Sequence, residues 1–406
     1  MFWSRHWSSN LPSHWSSKRT SRRRASQRRL SFEQCESRRL MAVTTSLNGG
    51  TLTITGDGGA DDIAIVGTPG GEITVTGRNG TTVNGSTVVP GVLGDLLIDL
   101  GDGNNVINVD NVFLAGRLDL ETGDGNDQVV FGATGVVTSG GICSVNTGAG
   151  NDSFRAEDYK VFIASQLLVH VGSGNDFASL VGASAITRIE VSGGESGRTD
   201  FILRGVTSGG RLYVLAQTPI NNVAVFTSAA SQDLEILCKS GQNSIYVDTC
   251  FAAQNISVSS YSSNTGFFPR NPPLPVAAPY NVDATITVAR CQALRLFVNT
   301  LGDANPRYFS GDDTIFIYGN NLVGPSVPSP GTHVLSVATG HGNDRVSASY
   351  NVVIGEAFVG LYELNDTLTL TGNLVTGIAQ ADGGDGGNRL DLFGNQFGGS
   401  SFTNFA

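Results

Sequence analysis

From residue 42 onward the chain is written in short alternating runs. RLDLET, ICSVNT and QLLVHV lead into a polar corner, VINV and QVVF leave it, and a third apolar piece such as VFLAG, GVVTS or VFIAS lies between. Alternation of Val, Ile, Leu and Thr bounded by Gly and Asn predicts strands, and no stretch sustains a helical period. The corner recurs as GDGNNVINV at 101, GDGNDQVVF at 123, GAGNDSFRA at 148, GSGNDFASL at 172 and GHGNDRVSA at 340. Degenerate copies stand at 56 (GDGGADDIAIV), 240 (SGQNSIYV), 310 (SGDDTIFI) and 364 (LNDTLTL). The last polar position of each corner gives a series: Asp62, Asn105, Asp127, Asp152, Asp176, Asp200, Ser244, Asp313, Asp344 and Asp366. Gaps of 22, 25, 24 and 24 from Asn105 to Asp200 set a unit of 22–25 residues, and the 43 before them reads as two units with Asn84 as an unseen corner.

Three short strands in each such unit predict an all-β fold, a parallel β-helix (β-solenoid) of about 15 coils. One coil cannot bury its own inward face, so stacking at ~4.8 Å builds the core. Residues 43–62 are expected to form the first coil, and Phe393, Phe397 and Phe402 to help cover the last, because open strand edges invite pairing.

Composition agrees. With 53 Gly in 406 residues and 15% charged side chains, the chain is neither a helical bundle nor a charged disordered polymer. Charge divides the chain in two. Residues 1–40 hold ten Lys or Arg against Glu33 and Glu36, a net of +8, so the remainder must carry −18 for the total of −10. A basic arm on an acidic body argues against the whole protein being a nucleic-acid binder, since the large surface repels phosphates while only a short arm attracts them. Residues 1–41 therefore read as a basic, disordered export or targeting segment, and 42–406 as one β-helix domain with loop insertions at 262–281, 302–311 and 320–332. The arm lacks the continuous apolar core of a secretory signal, and no stretch reaches the ~20 apolar residues of a membrane span. Cys35, Cys143, Cys238, Cys250 and Cys291 form no CxxC pair, and the four in the body read as small buried residues, with a Cys238–Cys250 disulfide left open.

The corner carries the candidate chemistry. Its glycines permit the positive φ of a sharp bend. Asn104, Asn126, Asn151 and Asn175 occupy one position in four successive coils and are expected to form a ladder of side-chain amides. One position later a column of carboxylates would repel itself unless cations or donors lie between its members. These corners resemble the hemolysin-type calcium-binding repeat, GGxGxDxUx, most closely at GDGNDQV and GAGNDSF. The resemblance implies calcium, a hard cation suited to oxygen ligands, with Asp102, Asp124, Asp127, Asp152 and Asp176 as candidate ligands. It covers scattered single copies, whereas that family repeats its nonapeptide in tandem. A second segment, SFEQCESRRLMA, is similar to the LEPR-XLL type of N-terminal motif on large exported bacterial repeat proteins. Glu36, Arg38, Leu40 and Met41 fill its positions, while Cys35 and Ser37 replace the usual Leu and Pro. That resemblance implies an extracellular or cell-surface location. The alternative is that the chain starts at Met41.

Catalytic motifs are sparse. There is no HExxH or GxSxG, His170 sits at an alternating strand position, and the one candidate constellation, Asp152 and Asp176 with Arg155, has a simple reading as surface charge balance. Insertions are where a solenoid gains function, and two of them bring aromatic and basic side chains: Phe267, Phe268, Arg270, Tyr280, Arg307 and Tyr308 are candidate ligand-binding residues. The expectation is a non-catalytic, monomeric surface scaffold with polysaccharide or a cell-surface protein as partner. The alternative is an extracellular polysaccharide-active β-helix enzyme.

Overall fold

The computed structural model describes residues 42–239, 241–261, 283–300, 311–325 and 333–406. Among these there is no helix. The chain winds through strands that pair in parallel with their counterparts in the next coil, in a 26-stranded and a 15-stranded sheet. One coil consists of Val106–Asp110, Val112–Leu114 and Leu118–Glu121; the next repeats it as Gln128–Phe131, Val137–Ser139 and Cys143–Asn146. All three pairs stack in register, as Val106↔Gln128, Val112↔Val137 and Leu118↔Cys143. The fold is a parallel β-solenoid of about 12 turns.

Alternation sends every second side chain inward, and the stack joins them into one core. The row Ile63, Ile107, Val129, Phe154, Ala178 and Phe201 is at most 1% exposed throughout. Bulk is exchanged between neighbouring coils: Phe131 stands beside Ala156 in the next rung, and Phe154 beside Ala178. The Phe131 and Phe154 rings meet edge-on at 5.3 Å. Large beside small keeps the interior full without straining rotamers. All four body cysteines are buried free thiols, with no disulfide between Cys238 and Cys250.

Fewer coils than expected follow from stretches that spend about two units on one coil step, as between the paired Asn243 and Ala284, 41 residues apart, and in the first turn. Asp62–Gly67 pairs directly with Val106–Asp110, so the chain between them spans one coil step and Asn84 is no corner. The surplus folds back instead. Ile73–Gly77 runs antiparallel to Asp62–Gly67, Val88–Val89 adds to it, and Thr82–Asn84 pairs with Ala42 to Thr44. The reversals fall at glycine turns, with Gly71 at φ 79° and Asn79 and Gly80 at φ 48° and 97°. Ala42–Asn48 pairs antiparallel with Thr51–Thr55, while Thr51–Thr55 itself stacks in parallel on Leu96–Asp99, so the coil expected at 43–62 enters the stack through its second strand. At the other end, Phe397 and Phe402 pack on the core with rings 5.9 Å apart, joined by Phe405. Phe393 points outward and is 58% exposed, so it takes no part in covering the last coil.

Candidate functional site

Each GxGND corner uses its two glycines differently. The first adopts a left-handed bend, with φ 66°, 72°, 77° and 65° at Gly101, Gly123, Gly148 and Gly172. The second is required by stacking as well: a Cβ on Gly150 would lie 1.6 Å from the carbonyl oxygen of Gly125, and one on Gly174 1.4 Å from that of Gly150. The carbonyl of each corner is thereby packed against the glycine of the next.

Around these carbonyls lie two polar columns. The outer one is exposed: Asn126 N–H donates to Asn104 Oδ1 at 2.7 Å, Asn151 N–H to Asn126 Oδ1 at 2.7 Å and Asn175 N–H to Asn151 Oδ1 at 2.9 Å. Beside it Asp124 N–H donates to Asp102 Oδ1 at 3.0 Å, and both of these carboxylates face solvent. The inner column is buried. Backbone N–H groups of Asp61, Asn105, Asp127 and Asp152 donate to side-chain Oδ1 of Asn105, Asp127, Asp152 and Asp176, at 2.9, 2.6, 2.8 and 3.0 Å. The same rung recurs from Ala284 through Asp313, Asp344 and Asp366 to Asn388, at 2.8 to 2.9 Å.

What differs along the inner column is the second atom of each side chain. Asn105 places its Nδ2 among three carbonyls and donates to Gly101 O, Gly103 O and Thr122 O at 3.0, 3.2 and 3.0 Å. Asn388 does the same with Gly383 O at 2.6 Å and Asn404 O at 3.2 Å. Where the residue is Asp, an acceptor replaces that donor. Oδ2 of Asp127, Asp152, Asp176, Asp344 and Asp366 is buried without a hydrogen-bond partner. The hydroxyls of Thr147, Thr300 and Thr339 sit beside Asp152, Asp313 and Asp344 without closing a well-aligned bond. Burial therefore disfavours the charged form. It pushes Asp127, Asp61 and Asp366 up to about 6 and Asp176, Asp313 and Asp344 up to about 7, and raises Asp152 in the same direction.

The column differs from its sequence-derived form at three places. Asp61, Thr199 and Asn243 occupy it, whereas Asp62, Asp200 and Ser244 face outward. Asp62 pairs with Arg78 at 2.6 Å and Asp200 with Arg198 at 2.9 Å. The central rungs are neutral and satisfied: Asn221 Nδ2 donates to Asn243 Oδ1 at 2.7 Å, and Asn243 Nδ2 to Ser260 Oγ at 2.7 Å. A second buried ladder, at a different corner, was not foreseen. Asn320 N–H donates to Asn351 Oδ1, Asn351 N–H to Asn373 Oδ1 and Asn373 N–H to Asn395 Oδ1, at 3.0, 3.0 and 2.9 Å. Its signal is a lone Asn after Gly or Tyr with positive φ, such as Gly372 and Tyr350, which shares nothing with GxGND.

Of the candidate residues, Asp127, Asp152 and Asp176 share the inner column while Asp102 and Asp124 stay outside it. Among the described residues no group of three or more His, Cys, Asp or Glu side chains is placed to hold a metal ion, so any cation here would depend on backbone carbonyls. Arg155 lies on the outward side of its strand with its guanidinium 5.0 Å from the Phe177 ring, so it does not join Asp152 and Asp176. His170 is exposed, its Nδ1 2.9 Å from Ser192 Oγ, in a recess of about 310 Å³ with Glu121 and Glu190. Phe267, Phe268, Arg270, Tyr280, Arg307 and Tyr308 lie outside the described residues, as do residues 1–41. No helix of the described residues is long and apolar enough to cross a membrane. Neither a family model, nor a curated protein, nor a solved structure matches this chain.

Proposed function

We propose that the chain is a non-catalytic β-solenoid scaffold displayed outside the cell, where it serves adhesion or envelope structure and binds calcium at its GxGND corners. The observation that carries the calcium reading is the buried Oδ2 of Asp127, Asp152 and Asp176, set where Asn105 presents a donor to three carbonyls. A carboxylate oxygen among carbonyl oxygens is an all-oxygen donor set that suits a hard divalent cation. Asp127, Asp152 and Asp176, with corner carbonyls, would hold it; bound calcium would supply the positive charge the column lacks. The scaffold reading draws support from Arg155, which is turned away from the carboxylates. Surface location rests on the N-terminal motif alone.

The test is a calorimetric calcium titration of the full chain, with thermal melts in calcium and in chelator, on the parent and on the D127N/D152N/D176N variant. Saturable binding that raises the parent's melting temperature and disappears in the variant is expected. A parent that binds no calcium and melts alike in both buffers would remove the cation from this reading. The enzyme reading keeps one observation, the recess shared by Glu121, Glu190 and His170. Cleavage of polysaccharides that disappears in Glu190→Gln would replace the scaffold with it.

A further inference from the structure

The side of the solenoid built from its shortest strands carries no charge. Its outward row runs in register from Phe113 through Thr138, Phe162, Ser184, Thr207 and Ala229 and on to Gln396. No described rung of it, nor of the neighbouring row from Ala115 to Gly398, is Asp, Glu, Lys or Arg. Large apolar side chains stand out of this surface: Phe162 is 45% exposed, Ile186 63%, Phe251 47% and Ile354 41%. Between them Gly140, Ala164, Thr207 and Gly209 line an open groove of about 630 Å³. An uncharged surface continuous over many coils, with large apolar side chains standing out of it, is not the ordinary scatter of exposed hydrophobics, and it marks a surface that is covered in use.

Two quantities point to the occupant. The other sides carry charge: Asp102 and Asp124 at the corner, Asp119 and Glu121 on the third side, and on the 15-stranded sheet Arg155, Arg204 and Arg345 beside the ion-paired Asp62 and Asp200. With −18 on residues 41–406, the bodies of two copies repel each other on average, and the uncharged face is the side on which a two-fold contact brings no like charges together. The face is about 12 rungs long at ~4.8 Å each and ~10 Å wide, which gives roughly 1,100 Å² buried over two copies, enough for a weak specific interface. Protruding Phe162 and Ile186 alternate with small neighbours, so one surface holds both the ridges and the hollows that a two-fold contact needs.

We propose that this face docks against the same face of a second copy, making a reversible two-fold dimer. This proposal departs from the monomeric state expected from sequence. The dimer does not depend on calcium, because the acidic corners lie on other edges of the coil.

Sedimentation equilibrium of the full chain over a micromolar concentration series, in calcium and in chelator, tests it together with lipid-vesicle flotation. The parent is expected to dimerise in both buffers. Phe162→Glu and, four coils along, Phe251→Glu should each weaken the dimer on the order of tenfold or more. Thr369→Glu, on the 15-stranded sheet, should leave it intact. Near-parental thermal melts would confirm that the variants fold. A parent that stays monomeric overturns the proposal, as do variants that dimerise as tightly as the parent. Monomers that float with vesicles and lose this with Phe162→Glu would assign the face to lipid and overturn it too.

Discussion

Replacing Asn by Asp in a column changes one atom, NH2 to oxygen, and reverses what the surrounding carbonyls feel. At Asn105 the three carbonyls receive hydrogen; at Asp127 they face a second acceptor. An unmatched buried acceptor costs ~1–3 kcal/mol. Without calcium, Asp152→Asn is therefore expected to stabilise the fold by about 1 kcal/mol or more; denaturant melts in chelator would measure it. The same reasoning fixes a pH dependence in the second acidic run. Burial holds Asp313 and Asp344 at about 7 and Asp366 at about 6, above the unfolded carboxyl value of roughly 3.9. The folded state then binds more protons than the unfolded one, and the contribution is complete below that unfolded value and lost as pH rises through about 6 to 7. Melting temperatures in chelator should fall between mildly acidic and mildly basic buffer, and Asp344→Asn should flatten the slope. An unchanged slope would count against burial as the cause.

Strands and corners are where the sequence was most legible. GxGND announces its bend because glycine meets both the φ and the carbonyl packed against it; where Leu364 takes the second glycine's place, at φ 81°, the corner is harder to read. Gly150→Ala should cost more than 2 kcal/mol, since backbone rather than a side chain occupies the space. Gly394→Ala, at φ 62° with nothing within 4 Å, should cost on the order of 1 kcal/mol. Thermal melts of the two separate crowding from φ strain. Degenerate corners were misread by one residue where two polar residues adjoin, as at Asp61 and Asp62 or Thr199 and Asp200. Parity settles such cases: the column member lies two positions before the first core residue, Ile63 or Phe201, because alternate side chains share a face. The excursion after Gly67 misled for another reason. It alternates as a coil does and brings the interval from Asp62 to Asn105 to 43 residues, two units, so only its glycine turns distinguish hairpins from coils. Sequence gave no access to the unpartnered Oδ2 atoms either, because they arise from stacking corners that no single corner contains.

At the scale of the whole described solenoid, the rungs are interchangeable. In the two acidic runs each column member joins the next by one backbone N–H and one side-chain oxygen, and the step from Asp344 to Asp366 equals that from Asp366 to Asn388, 22 residues each. Excising residues 345–366 would set Asp344 directly before Thr367 and keep both Asp and core rows in phase. The shortened chain is expected to fold, with a cooperative melt slightly below that of the parent. Removing 345–360 instead should abolish folding, because the remainder of the coil has no partner in phase. Circular dichroism melts of the two deletions would tell them apart.

The antiparallel strands at the amino-terminal end add a direction to this interchangeability. Ala42–Asn48 runs against Thr51–Thr55 and Ile73–Gly77 against Asp62–Gly67, so among the described residues the regular parallel stacking stops on that side. The opposite end finishes in strands of the regular parallel kind, Arg389–Phe393 and Gln396–Thr403. Duplicated coils can be accommodated within the stack or at that end alone. Lineages of this chain should therefore differ in length by whole multiples of a coil while sharing one fixed beginning, a one-sided growth record kept in the backbone.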